Sequence, residues 1–244
     1  MKRFALPSVS AGPLRWTQAL ARAAADLLYP PTCLGCGNNL PQASREAPLC
    51  PACLRAMPRA EPSLFLPRLA RFPDGESIAH AEALWVFDDD GILQQVQHAL
   101  KYGNRPSLGV WLGRLVGERW AHVGAPVPDL IVPVPLHRRR TLERGYNQSE
   151  RLATGVGASL GVPVRDHLLV RTRPTRSQTA LSKSERWQNV CDAFAVADRD
   201  AAAGRSLLLV DDVLTTGATA MAAAHTLRDA GADVSLAVLA CTRD

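Results

Sequence analysis

From residue 81 onward the apolar positions alternate between two rhythms. Short runs at 83–87, 130–135, 162–170, 193–196, 207–210 and 234–240 read as strands. Between them the apolar spacing follows the helical period. In 91–102, Ile92, Val96, Ala99 and Leu100 fall on one face, and Arg105-Pro106 ends the segment. Further helices are expected at 108–120, at 148–160 (closed by Gly161), at 182–190 and at 219–230 (closed by Gly231). The run Leu207-Leu208-Leu209-Val210 has no polar interruption, as a central parallel strand buried on both faces requires. Strand and helix in alternation predict an α/β domain, a parallel sheet with helices on both faces.

Before residue 81 the pattern is different. Residues 1–13 read as a loose tail and 14–28 as an Ala-rich amphipathic helix. Arg15, Gln18, Arg22 and Asp26 interrupt that stretch, so it is too polar to span a bilayer. Pro7, Ser8, Ser10, Gly12 and Pro13 likewise break any signal-peptide core, and the expected compartment is the cytoplasm. Residues 29–57 hold four of the six cysteines. Residues 58–80 carry Pro58, Pro62, Pro67, Pro73 and Gly75 and read as a linker. The expected organisation is therefore 1–28 tail and helix, 29–57 cysteine module, 58–80 linker and 81–244 α/β domain. A chain of 244 residues has room for one such domain and a small appendage.

The segment with most chemistry follows the apolar run: Asp211-Asp212-Val213-Leu214-Thr215-Thr216-Gly217-Ala218-Thr219. Ligands of open α/β sheets bind at the carboxyl ends of strands. The helix start after the Thr/Gly turn offers free N–H groups and partial positive charge, which suit a phosphate. Gly217 lets the backbone approach closely. Thr215, Thr216 and Thr219 add hydroxyl donors. Ionised Asp211 and Asp212 only accept hydrogen bonds, so they complement hydroxyl donors such as a ribose cis-diol. A loop gripping a phosphate on one side and a diol on the other suits a ribose 5-phosphate. The bland alternative is an ordinary helix cap beside two surface aspartates. There is no GxxxxGK[ST] loop, which disfavours ATPase chemistry, and no GxGxxG turn.

Cys33, Cys36, Cys50 and Cys53 form C-x2-C-x13-C-x2-C. Two such knuckles supply four thiolates in the tetrahedral arrangement Zn²⁺ accepts, and the metal would provide much of the folding energy of so short a segment. An iron–sulfur centre and a redox dithiol pair are the rivals. In a reducing compartment disulfides are disfavoured. Cys191 and Cys241 have no partner at ligand spacing and read as buried small residues. No HExxH or triad-like context surrounds any of the six histidines.

The net charge of +5 and pI of about 9.1 permit phosphate-rich partners without requiring them. Aromatic residues are 5% of the chain, and no basic groove studded with Trp or Tyr is evident, so a stacking platform for single strands is not apparent.

The 207–219 segment resembles the signature with which type I phosphoribosyltransferases bind 5-phosphoribosyl 1-pyrophosphate (PRPP). Three more segments narrow the resemblance. Residues 131–140 run into Arg144-Gly145-Tyr146-Asn147-Gln148. Arg173, Thr175, Gln178, Leu181-Ser182, Glu185-Arg186, Asn189-Val190 and Ala193-Phe194 follow, and Leu100-Lys101-Tyr102 stands earlier. In this order and spacing, from about residue 29 to 240, they are similar to the ComF family of competence-associated proteins. Tyr146 stands where many members have Phe, a difference expected to matter little.

The resemblance implies a type I phosphoribosyltransferase fold with an N-terminal zinc ribbon. It implies PRPP as ligand, with Mg²⁺ bridging pyrophosphate and ribose oxygens. Asp211 and Asp212 would hold the ribose. Thr215, Thr216, Gly217, Ala218 and Thr219 would hold the 5-phosphate. Arg144, with Gly145 and Arg138, would steady the pyrophosphate through planar guanidinium forks. The 171–189 segment could close as a lid over the reactants. Lys101, at a helix end, reads as a favourable C-terminal charge rather than a ligand. A phosphoribosyltransferase is one reading. The other is an adaptor that kept the site without turnover and handles single-stranded DNA beside a helicase or another competence partner. A plain zinc-ribbon DNA regulator leaves the Asp-Asp and Thr-Thr-Gly loop unexplained.

Overall fold

In the computed structural model, residues 30–40, 47–72, 75–88, 91–172 and 192–243 are described. The expected helices at 14–28 and 182–190, Cys191 and nearly all of the expected lid lie outside them. Contacts divide the chain into residues 1–50 and 51–244.

In the first unit, an isolated antiparallel bridge joins Thr32 and Asn39. Between them the chain turns tightly: Cys33 N donates to Asn38 O at 2.8 Å and Gly37 N to Cys33 O at 2.9 Å. Gly37 takes φ 73°, a conformation that costs a residue without a Cβ little.

The second unit opens with α1 (Pro51–Ala56) and α2 (Pro62–Leu69). It continues with β1 (Ala81–Phe87), α3 (Ile92–Tyr102), α4 (Pro106–His122), β2 (Leu130–Pro133), α5 (Arg138–Arg144) and α6 (Gln148–Leu160). Then follow β3 (Leu169–Arg171), β4 (Phe194–Val196), α7 (Arg199–Ala202), β5 (Ser206–Leu214), α8 (Ala218–Asp229) and β6 (Asp233–Thr242). The main sheet has the order β1-β6-β5-β2 with every pairing parallel, and β3-β4 form a separate antiparallel pair. The parallel sheet expected from the strand–helix alternation is present.

Both faces of the sheet are covered. Leu207 and Leu209 of β5, with Val234, Leu236 and Val238 of β6, join one apolar cluster with the alanine-rich face of α8. Leu208, Val210, Ala237 and Leu239, one residue out of phase, are equally buried outside that cluster. On that other side α4 and α6 pack closely, because glycines remove the side chains between them. A Cβ at Gly113 would lie 2.0 Å from the Leu152 carbonyl oxygen, and one at Gly155 2.0 Å from that of Val110.

Two local expectations change. Residues 162–170 form no continuous strand; Val164 makes one bridge to Ile131, and β3 begins at Leu169. Residues 58–80, expected as a linker from their prolines, contain α2. Pro62 stands at the start of that helix, where a missing N–H costs nothing. Phe65 and Leu69 are each 1% exposed and belong to the same cluster as α8. Backbone bonds from Ala60 N to Leu84 O and from Val86 N to Pro58 O also cover the free edge of β1.

Candidate functional site: a charged cleft at the strand ends

β5 continues through the acidic pair to Leu214 and turns at Gly217, which has φ 86° and caps α8. The carboxylates therefore stand at the carboxyl end of a central strand, beside a helix start. They line an open cleft of about 700 Å³, its solvent-filled mouth included. Cations converge there from separate elements: Lys101 from α3, Arg140 and Arg144 from α5, and Arg171 from β3. Val134, Pro135 and Leu136, after β2, also line it, as do Thr215, Gly217 and Thr219. Four cations against two carboxylates suit a ligand carrying more than one negative charge and a neutral hydroxyl-bearing part.

The acidic pair is held from within. Ser149 Oγ donates to Asp211 Oδ1 at 2.9 Å, and Asp212 N donates to the same oxygen at 2.9 Å. Val213 N donates to Asp212 Oδ1 at 2.7 Å. Lys101 Nζ lies 3.6 Å from Asp212 Oδ2. Burial, and next the charge of Asp212, raise the Asp211 pKa to about 7, against the opposing pull of these hydrogen bonds and of Arg171. Burial, reinforced by Arg140, lowers that of Arg171.

Of the residues expected at the site, Asp211, Asp212, Arg144, Thr215, Gly217 and Thr219 line the cleft. Thr216 and Ala218 do not; the Thr216 hydroxyl instead accepts from Ala218 N at 3.4 Å, within the turn. Arg138 is exposed on α5 and does not line the cleft, which receives Arg140, two residues along. Gly145 is not a lining residue; its φ of 80° lets the chain leave α5.

Several contributors were not legible as such. Lys101 faces Asp212 rather than merely ending a helix. Gln148, 1% exposed, accepts from Arg144 Nη1 at 3.0 Å, while its own buried Nε2 has no hydrogen-bond partner among the described residues. Arg68 of α2, 5% exposed, donates to Leu64 O at 3.0 Å, Thr215 O at 2.9 Å, Thr242 Oγ1 at 3.0 Å and Thr242 O. It thereby ties the Thr/Gly loop to the end of β6. The hydroxyl of Tyr146, expected to be of little consequence, is buried and donates to Leu100 O.

The four paired cysteines also come together. The sulfurs of Cys33, Cys36, Cys50 and Cys53 lie within 4.8 Å of one another, and Cys36 and Cys50 are 3.9 Å apart. A tetrahedron with Zn–S bonds of about 2.3 Å has edges of about 3.8 Å. Gly35 N and Cys50 N point at Cys33 Sγ, at 3.4 and 3.3 Å, as donors to a thiolate do. Four sulfurs and no oxygen or nitrogen ligand fit a structural zinc. Cys241 is buried apart from them in the core cluster, where burial raises its pKa.

Residues 24–64 match the double zinc ribbon domain family. The DNA utilization protein YhgH of Salmonella typhi is 33% identical over 188 residues, 75% of this chain and 79% of that one. Competence protein F of Haemophilus influenzae is 36% identical over 108 residues, 44% of this chain and 47% of its own. The chain belongs to the ComF family. Among solved structures, the allosteric regulatory enzyme of purine biosynthesis aligns with 58% of this ComF chain and 29% of its own length, at 23% identity and a TM-score of 0.41. The ComF architecture here joins a zinc-ribbon segment to a four-stranded parallel sheet with flanking helices. No helix among the described residues is long and apolar enough to cross a membrane.

Proposed function

We propose that this protein binds PRPP, or a closely related ribose phosphate, in the strand-end cleft and serves DNA uptake or DNA utilization in the cytoplasm. The observation that carries the reading is the opposition of two charge types around one cleft. Asp211 and Asp212 stand ready to accept from ribose hydroxyls, beside the N–H groups and hydroxyls of the Thr215–Thr219 turn for a 5-phosphate. In the same cleft, Arg144 and Arg140 offer planar forks to a pyrophosphate. Mg²⁺ would accompany the ligand, neutralising charge between pyrophosphate and ribose oxygens. In a phosphoribosyl transfer the acidic pair would steady positive charge developing near C1, and Arg144 the departing pyrophosphate. Cys33, Cys36, Cys50 and Cys53 would hold a structural zinc, and four thiolates would leave it no open position for chemistry.

The biological setting rests on the names of the relatives, one a DNA utilization protein and another a competence protein. A net charge of +5 is compatible with single-stranded DNA as a partner. A helicase or other competence protein would be a further partner. Thermal-shift measurements with PRPP and Mg²⁺ test the ligand; stabilisation by PRPP but not by ATP supports the reading, and no shift argues against it. Fluorescence anisotropy with a labelled single strand tests the second role. Salt-dependent binding, unchanged in Asp212→Asn, supports an adaptor whose DNA contact is separate from the cleft. No binding at low salt rejects it.

A further inference from the structure

The α3 end and the α5–α6 turn are far apart in sequence but fastened together at the cleft. Lys101 Nζ is 3.6 Å from Asp212 Oδ2, with side-chain exposures of 28% and 19%. The preceding carbonyl, Leu100 O, lies in the last turn of α3, where intrahelical donors run out. The buried Tyr146 hydroxyl supplies the missing donor. One residue beyond Lys101, the Tyr102 ring lies 5.9 Å from the Arg144 guanidinium. The turn carrying Lys101 is thus fixed to the segment carrying Arg144 and Gln148.

We propose that Lys101 is a ligand-binding residue of the cleft, a built-in cation between the acidic pair and an anionic ligand, and that Tyr146 is the positioning residue that holds it there. The assignment rests on the ribose-phosphate reading. Its physical content is that two adjacent carboxylates alone would repel a polyphosphate, and a fixed ammonium offsets one of them. An ammonium within reach of Asp212 can also donate to a phosphate oxygen, since it carries three donors. A lysine serving only as a helix C-terminal charge would have no bearing on ligand affinity. A tyrosine serving only to fill space would be replaced by Phe without consequence for the ligand.

The test is calorimetric titration of PRPP and Mg²⁺ into wild type, Lys101→Met, Lys101→Arg, Tyr146→Phe and the double variant Lys101→Met/Tyr146→Phe. Each protein is first shown to be folded by its melting transition. Loss of a charged donor should weaken PRPP binding about tenfold or more in Lys101→Met, and Lys101→Arg should restore part of it. Tyr146→Phe should weaken binding about threefold to tenfold. That loss should vanish in the Lys101→Met background, because Tyr146 acts through Lys101. Additive losses would overturn the positioning role of Tyr146. Wild-type affinity in Lys101→Met would overturn the assignment of Lys101 while leaving the ribose-phosphate reading intact. Absence of PRPP binding in the wild type would overturn both.

Discussion

The cysteine cluster and the strand-end cleft are both ligand sites, but they are specified in different ways. In the cluster, ligand identity is written into residue type and local spacing. Four thiolates in two CxxC knuckles converge within 4.8 Å and leave no role for a neighbour from elsewhere in the chain. In the cleft, identity comes from the sheet order. Asp211 and Asp212 reach their position because β5 is central, and Lys101, Arg144 and Arg171 reach theirs because α3, α5 and β3 end at the same edge. A closed site of identical donors supplies folding energy; an open site of opposed charges selects a ligand.

The largest expected effect breaks the first region and leaves the second. Chelation of the metal, or Cys36→Ser with Cys53→Ser, should unfold the cysteine module, since structural zinc supplies roughly 10 kcal/mol to such segments. All lining residues of the cleft fall between Lys101 and Ala220, so PRPP binding should survive. Metal content with circular dichroism reads the first outcome and calorimetry the second; lost PRPP binding on chelation would show that the two regions are not independent.

A smaller effect sharpens the account of how the cleft is built. Arg68→Met removes the charged donors to the Thr215 carbonyl and to the Thr242 hydroxyl and carbonyl. A loss of about 2–3 kcal/mol in denaturant unfolding is expected, with weaker PRPP binding as the Thr/Gly turn loosens. Unchanged affinity would mean that the turn holds its form without α2.

The smallest effect has a sign that only the cleft should show. The Asp211 pKa is raised from the ordinary carboxylate range to about 7. The unfolded state ionises first, so between about pH 4 and about pH 7 folding stability from this group falls as pH rises. Ligand binding should move the other way, because ionised Asp211 accepts from hydroxyls that protonated Asp211 holds less well. PRPP affinity should therefore rise severalfold through about pH 7. Asp211→Asn should flatten both profiles, read by melting temperature and by calorimetry across pH; parallel profiles in wild type and variant would remove Asp211 from the account.

The same contrast explains what was legible in the sequence. The knuckles and the strand–turn–helix of 207–219 are contiguous, so residue order alone carries their geometry. The buried run of β5 announced the central strand, and the alternation of elements announced the parallel sheet. Lys101, Ser149 and Gln148 join the cleft, and Arg68 braces its Thr/Gly loop, only through tertiary placement, which local pattern does not contain. Arg138 and Arg140, both exposed, differ by two positions on one helix, enough to bring Arg140 to the cleft and leave Arg138 off it. The prolines of 58–80 suggested a linker because Pro62 at a helix start resembles a break until the buried face of Phe65 and Leu69 is seen.

If the acidic pair and the Thr/Gly turn form a ribose-phosphate site, ligand binding must depend on both carboxylates. Isothermal titration of PRPP and Mg²⁺ into the zinc-loaded protein and into Asp211→Asn/Asp212→Asn tests it most directly. Saturable binding is expected in the wild type, with a loss of at least about a hundredfold in the double variant, as follows from removing two hydrogen-bonded carboxylates. Equal binding in both proteins, or none in a folded wild type, would contradict it.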